Sequence, residues 1–145
     1  YYYFLNIIYM IVYVDGVFDL THNGHFQLFK NAKALGDTLY VGVLSDKECE
    51  NYKRLPILTS QERKLNILNS HYVDRVIIDV PNVVEKDFIE KYKIDIVAHA
   101  HKIEEDHQYD YQYKIPKQMG IFKRLDYTNT ISTTDIINRI LNRNI

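Results

Sequence analysis

The chain has 145 residues, of which 46% are apolar and 26% charged, with a formal net charge of −1. That suits one globular domain with its own core and gives no overall positive field of the kind nucleic-acid binding uses. One cysteine, Cys49, excludes an internal disulfide and a cysteine-only metal site, and fits a reducing compartment.

In chain order, the first feature is an apolar and aromatic run, Tyr1–Val14, broken only by Asn6. It is too short for a membrane span, which takes about 20 residues. It also lacks the basic start and small-residue cleavage site of a signal peptide. Residues 1–8 read as an extension of no assigned role, and the absence of an initial Met is what a piece of a longer protein would show. Residues 9–145 read as one domain. Within it, Tyr9–Val14 is a β-branched and aromatic run expected to form a buried strand. A polar turn leads to a helix over about His25–Leu35, with Phe26, Phe29 and Ala32 on one face. Gly36 stands where a C-cap glycine belongs.

Thr38–Leu44 is the second expected strand. Thr59-Ser60-Gln61-Glu62 has the form of a capping box, with Leu65 and Leu68 continuing the helix behind it. Val73–Ile78 reads as a strand, Val84–Tyr92 as a helix and Ile94–Ala98 as a fourth strand. A short helix weakened by Pro116 is expected between Asp110 and Met119, then a fifth strand over Ile121–Leu125. Ser132-Thr133-Thr134-Asp135 opens the last helix, to about Asn142. This alternation predicts an α/β, Rossmann-like parallel sheet with helices on both faces. Ligands in such sheets bind beyond the carboxyl ends of the strands.

The sharpest chemical signal is His22-Asn23-Gly24-His25, placed just after the first strand and opening the first helix. Gly24 lets a phosphate approach the backbone, and the helix start favours an anion. Two imidazoles three residues apart, protonated or donating hydrogen bonds, add to that site. Ser132, Thr133 and Thr134 can hold phosphates in the same way, or serve only as a cap. Arg63 can brace a phosphate or pair with a carboxylate. His99 ends the fourth strand, where a ligand group is expected. His101 and His107 have no evident partner and read as solvated.

These motifs together resemble the cytidylyltransferase family, which shares the HxGH signature with a wider set of nucleotidyltransferases. The first motif spans Asp15–His25 and the last Ile131–Ile137, with Lys53, Glu62-Arg63, Tyr72-Val73-Asp74 and Val97-Ala98-His99 in family order between them. The resemblance implies a Rossmann-like fold, CTP as co-substrate and Mg²⁺. It implies His22, His25 and Lys53 as catalytic residues around the α-phosphate. It places CTP against Val17, Phe18, His22, Gly24, His25, Lys53, His99, Thr130, Ile131, Ser132, Thr133 and Thr134. A small phospho-alcohol is expected near Asp19, Arg63, Asn82, Ala100, Tyr113 and Arg124. No protein metal ligand is expected, because the ion travels on the phosphates.

The chain departs from the choline-phosphate pattern at three places. Tyr127-Thr128-Asn129-Thr130 replaces an Arg-Thr-Glu-Gly segment, leaving Arg124 or Lys123 to supply the missing cation. Asn82 stands where those enzymes have a tryptophan, and Ala100-His101 replaces acidic residues. A trimethylammonium group is best held by an aromatic cage, whereas a primary ammonium needs hydrogen-bond acceptors. The segment Pro116–Asp126 resembles the second half of the two-half ethanolamine-phosphate cytidylyltransferases. Phosphoethanolamine is therefore the expected substrate, ahead of phosphocholine and glycerol phosphate. The rival readings are a degenerate half that binds nucleotide beside an active partner half, and an adenylyltransferase. The resemblance further implies a homodimer or a pairing with a second half, and a cytoplasmic location or one peripheral to the endoplasmic reticulum membrane.

Overall fold

Five strands and the helices between them account for most of the chain in a computed structural model that describes residues 9–128 and 130–143. The 1–8 extension lies outside the described residues. The strands are β1 (Ile11–Gly16), β2 (Thr38–Leu44), β3 (Arg75–Val80), β4 (Ile96–Ala100) and β5 (Phe122–Leu125). All neighbouring pairs are parallel, in the order β3-β2-β1-β4-β5. The helices are α1 (Asn23–Lys33), α2 (Asp46–Tyr52), α3 (Ser60–Leu68), α4 (Lys86–Tyr92), α5 (Lys114–Gln118) and α6 (Thr133–Leu141), with a 3-10 segment over Ile103–Tyr109. The expected Rossmann-like architecture is the observed one.

Strand geometry assigns the two cores. Successive side chains of β1 point to opposite faces. Val12 and Val14 pack with Phe29 and Ala32 of α1, Val41 and Val43 of β2 and Ile67 of α3. Tyr13 packs on the other face with Ile89 of α4, Val97 and Tyr113. Both faces of the central strand are thus covered, which is why it reads as one continuous apolar run. The chain lays down β1, β2 and β3 in one direction, then returns to place β4 on the other side of β1. That reversal opens a crevice at the carboxyl ends of β1 and β4, the place where doubly wound sheets bind ligands.

Several local expectations change. α2 was not anticipated. Ser45 caps it through the Glu48 N–H at 3.1 Å, but only Cys49 along it is buried, so no apolar stripe marks it. α1 ends at Ala34 in an ordinary right-handed conformation, so Gly36 is not a left-handed cap. It is needed instead for close approach to β1, because a Cβ there would lie 2.8 Å from Val12 Cγ2 and 2.9 Å from the Met10 carbonyl. On α3, Leu65 and Leu68 are exposed, and the inward face is carried by Ile67 and Arg63. Pro116 sits in the first turn of α5, where its missing N–H costs nothing. The capping boxes at Thr59–Glu62 and Ser132–Asp135 both form.

Candidate active site

β1 ends in Asp15 and Gly16, and the chain then turns sharply into α1. Phe18 and Leu20 take left-handed φ of 53° and 47°, which side-chain-bearing residues hold only where packing enforces it. Here the buried Phe18 ring stands edge-on to Phe29 at 5.2 Å and to His25 at 5.4 Å. A Cβ on Gly16 would lie 2.9 Å from that ring.

This turn delivers His22 as the N-cap of α1, and the two histidines form a capping box between themselves. His22 Nδ1 accepts from the Gly24 N–H at 3.1 Å, and His25 Nδ1 accepts from the His22 N–H at 3.3 Å. The rings stack with centroids 3.9 Å apart. A backbone N–H can only donate, so each Nδ1 is bare and each ring carries its proton on Nε2. Burial lowers the pKa of His22 and pushes His25 down to about 3, with His22 beside it adding to the effect. The pair therefore offers two neutral N–H donors at a helix start. Of the two charge states allowed by the sequence, the structure selects the neutral one.

The opposite wall is the start of α6. Ser132 caps it, and Thr133 Oγ1 donates to the Asp19 carbonyl at 2.9 Å. Lys53 Nζ and Arg54 Nη1 reach Thr134 Oγ1 at 3.4 and 3.5 Å. Between the walls is a cleft of about 310 Å³. It is lined by Val17, Phe18, Asp19, His22, Gly24, His25, Lys53, His99, Ala100 and Ile131–Thr134 from the expected set. A second hollow of about 170 Å³ adjoins it through Asp15 and His99, and contains Asn82, Tyr109 and Gln112.

Asp15 is 3% exposed. Its Oδ1 accepts from the Tyr113 hydroxyl at 2.5 Å, while Oδ2 is buried with no hydrogen-bond partner among the described residues. Burial pushes its carboxyl up to about 7 against the hydrogen bonds that favour the anion. A buried, half-satisfied carboxyl at the mouth of a pocket is a group arranged for a ligand.

The family model for cytidylyltransferase-like domains matches residues 13–139. The chain belongs to that family. It is 38% identical over 140 residues to the ethanolamine-phosphate cytidylyltransferase of Dictyostelium discoideum, covering 93% of this chain and 39% of that protein. It is 41% identical over 132 residues to the choline-phosphate cytidylyltransferase of Saccharomyces cerevisiae (strain ATCC 204508 / S288c), covering 90% and 31%. The chain thus spans between about a third and two-fifths of the length of these relatives. The lipopolysaccharide core biosynthesis protein of Thermoplasma volcanium GSS1 superposes with a TM-score of 0.67 at 29% identity, covering 84% of this chain and all of that one.

Within this cytidylyltransferase-like domain, four expected ligand residues take other places. Arg63 is fully buried and its guanidinium is spent within the protein. Nη1 donates to the Val17 and Leu44 carbonyls at 2.9 and 3.0 Å, Nε to the Leu58 carbonyl at 3.2 Å, and Nη2 pairs with Asp46 at 2.6 Å. It holds the cleft loops rather than a phosphate. Tyr113 is also fully buried and presents its hydroxyl to Asp15, so it forms no open cage wall. Arg124 is committed to the His101 and Leu125 carbonyls and to Asp126. Thr130 is exposed and does not line the cleft. Asp19 lines it, but its carboxylate accepts from the Ile57 and Leu58 N–H groups at 2.7 and 2.9 Å. His107 is exposed as expected; His101, expected to be solvated, is buried.

Sequence reading missed Arg54 and gave Asp15 no role. Arg54 stands next to Lys53, and Asp15 is a carboxylate inside an apolar strand, so both signals were present. Among the described residues no three His, Cys, Asp or Glu side chains converge as metal ligands, and no helix is long and apolar enough to cross a membrane.

The buried titratable groups set a pH dependence of stability. Burial pushes His99 down to about 3 as it does His25. His25 and His99 stabilise the fold above the unfolded value of 6.5 and lose that contribution as pH falls toward 3, and the lowered His22 acts in the same direction. Asp15 is raised to about 7, so its contribution is present below 3.8 and lost as pH rises through 7. Between 6.5 and 3.8, unfolding takes up two protons on the histidines and releases one from Asp15. The net of at least one proton predicts that stability falls by about 1.4 kcal/mol per pH unit or more on acidification. Urea midpoints measured from pH 6.5 to 4 check this; a rise in stability over that range would refute the assignment.

Proposed function

We propose that this chain transfers a cytidylyl group from CTP to phosphoethanolamine, giving CDP-ethanolamine and pyrophosphate. The observation that carries the transfer chemistry is the double-histidine cap of α1 facing the α6 start and Lys53 across one cleft. The phosphate oxygen of phosphoethanolamine attacks the α-phosphorus in line, the bond to the bridging oxygen of the β-phosphate breaks, and pyrophosphate departs with the charge. The two Nε2–H groups donate to the α-phosphate oxygens as charge builds there. Lys53, Arg54 and the N–H groups of α6 hold the departing phosphates. No enzyme nucleophile is required, so the rate comes from positioning and charge stabilisation. Mg²⁺ would be held by the nucleotide's own oxygens and water beside the Ser132–Thr134 hydroxyls, and would neutralise phosphate charge there.

The ethanolamine assignment rests on Asp15. A carboxyl poised near 7, with a buried oxygen that has no partner among the described residues, suits a cation that brings N–H donors. Phosphocholine is the second reading, favoured by the identity to the yeast choline-phosphate enzyme. Competition at equal concentrations with limiting CTP, reading both CDP products by mass, should yield an excess of CDP-ethanolamine. An excess of CDP-choline reverses the assignment. Neither product, with CTP still bound, points to the degenerate half.

Lys53→Ala and Arg54→Ala are each expected to raise the KM for CTP by about tenfold to a hundredfold, the cost of one charge-assisted phosphate contact. Lys53→Arg should recover only part, because a planar fork replaces a compact ammonium. Initial rates at varied CTP test this, and an unchanged CTP KM in both alanine variants removes these residues from the phosphate site.

A further inference from the structure

His99 lines both the cleft and the adjoining hollow, at the end of β4. Its Nδ1 lies 2.9 Å from Nδ1 of His101. His101 is 1% exposed, and its Nε2 lies 2.7 Å from Asp106 Oδ1. Asp106 Oδ2 accepts from Lys117 Nζ at 3.0 Å, and Lys117 also binds Asp110 at 2.8 Å. The mechanism proposed above uses none of His101, Asp106 or Lys117, yet together they back one ring that touches both pockets.

The chain of hydrogen bonds has a defined polarity. Hydrogen bonds from His101 and Lys117 hold the Asp106 carboxyl below the usual carboxylate range, so it is ionised and only accepts. His101 therefore carries a proton on Nε2. With that one proton on the ring, His101 presents a bare Nδ1, which accepts the Nδ1 proton of His99. The remaining ring nitrogen of His99, Nε2, is then bare.

We infer that His101 and Asp106 are a positioning pair that fixes the tautomer of His99, so that His99 offers a hydrogen-bond acceptor to a primary ammonium where the two pockets meet. The inference rests on the phosphoethanolamine reading and deepens it. Asp15 and His99 both line the cleft and the hollow, and with Oδ2 of the one and Nε2 of the other as acceptors an N–H-bearing head group satisfies both. A quaternary ammonium has no N–H and leaves both unpaired, which is how polar sites reject analogues.

The test has an arm that needs no turnover. Nitrogen-15 spectra of the histidine-labelled chain without ligand should show His99 protonated at Nδ1 and bare at Nε2; a proton on Nε2 overturns the inference whatever the activity. Asp106→Asn is the diagnostic variant, because Lys117 claims the amide oxygen and turns the amide N–H toward His101. Every proton in the relay then reverses, and His99 presents an N–H to the ammonium. The KM for phosphoethanolamine should rise by about tenfold to a hundredfold while that for CTP stays within about twofold. His101→Gln keeps one acceptor for His99 and one donor for Asp106, and should stay within about threefold of the parent. An equal rise in both KM values in Asp106→Asn, with a normal circular-dichroism melt, overturns the ammonium role. The expected His99 tautomer in a chain that makes no CDP-ethanolamine refutes the proposed reaction and leaves the positioning pair standing.

Discussion

Replacing His22 or His25 by alanine should lower kcat by about 10²–10³, corresponding to roughly 3–4 kcal/mol, the usual cost of deleting a preorganised donor at a site of developing charge. The expectation follows from the reciprocal cap, which leaves one Nε2–H on each ring. Both rings are also structural, so alanine costs about 1 kcal/mol of stability as well. Two further variants separate the roles. His25→Gln places at the third helical position a residue that ordinarily reaches back to the cap N–H, and His22→Asn restores a good N-cap. These should regain stability without regaining kcat. Steady-state rates beside urea melts give both quantities, and near-parent rates in either folded alanine variant would remove the pair from the chemistry.

Asp15→Asn should raise the KM for phosphoethanolamine by about a hundredfold and leave the KM for CTP unchanged. The side chains have the same shape, and the amide oxygen can still accept from Tyr113. The buried Oδ2 becomes an N–H₂ group, so a donor meets the donors of the ammonium where an acceptor stood. Stability should move the other way. Because the Asp15 carboxyl is raised to about 7, the parent holds a buried charge above that pH, and the variant should be more stable than the parent at pH 8–9. A phosphoethanolamine KM within a factor of two of the parent would take Asp15 out of the head-group site.

Strands were legible from β-branched runs, and the phosphate turn from the placement of two histidines between a strand and a helix. The cap at Ser132 was legible because its partners are three residues apart. What was not legible depends on partners distant in sequence. Arg63 sits on a helix whose pattern says nothing of the carbonyls of Val17 and Leu44 that surround it. Tyr113 meets Asp15 from 98 residues away, so its burial could not be read from its neighbours. α2 has seven residues with a single buried side chain, too little to make a stripe. His101 is different, because it follows His99 by two at a strand end, and strand alternation puts such residues on the same side. That signal was available without the structure.

The return of the chain to place β4 beside β1 also fixes when during synthesis the site can exist. β1 supplies Asp15 and the start of α1 the histidine turn early in the domain, but the hydroxyl that closes on Asp15 comes from Tyr113, and the hydroxyl that pins Asp19 comes from Thr133. A chain emerging from the ribosome can pair β1, β2 and β3 early and still hold the Asp15 carboxyl open to water. The cleft acquires its far wall only when α6 appears, after nearly the whole domain has been made. On the proposed function, a nucleotide bound at that moment is a ligand of the finished domain alone, so CTP added during translation would favour completed chains over arrested ones.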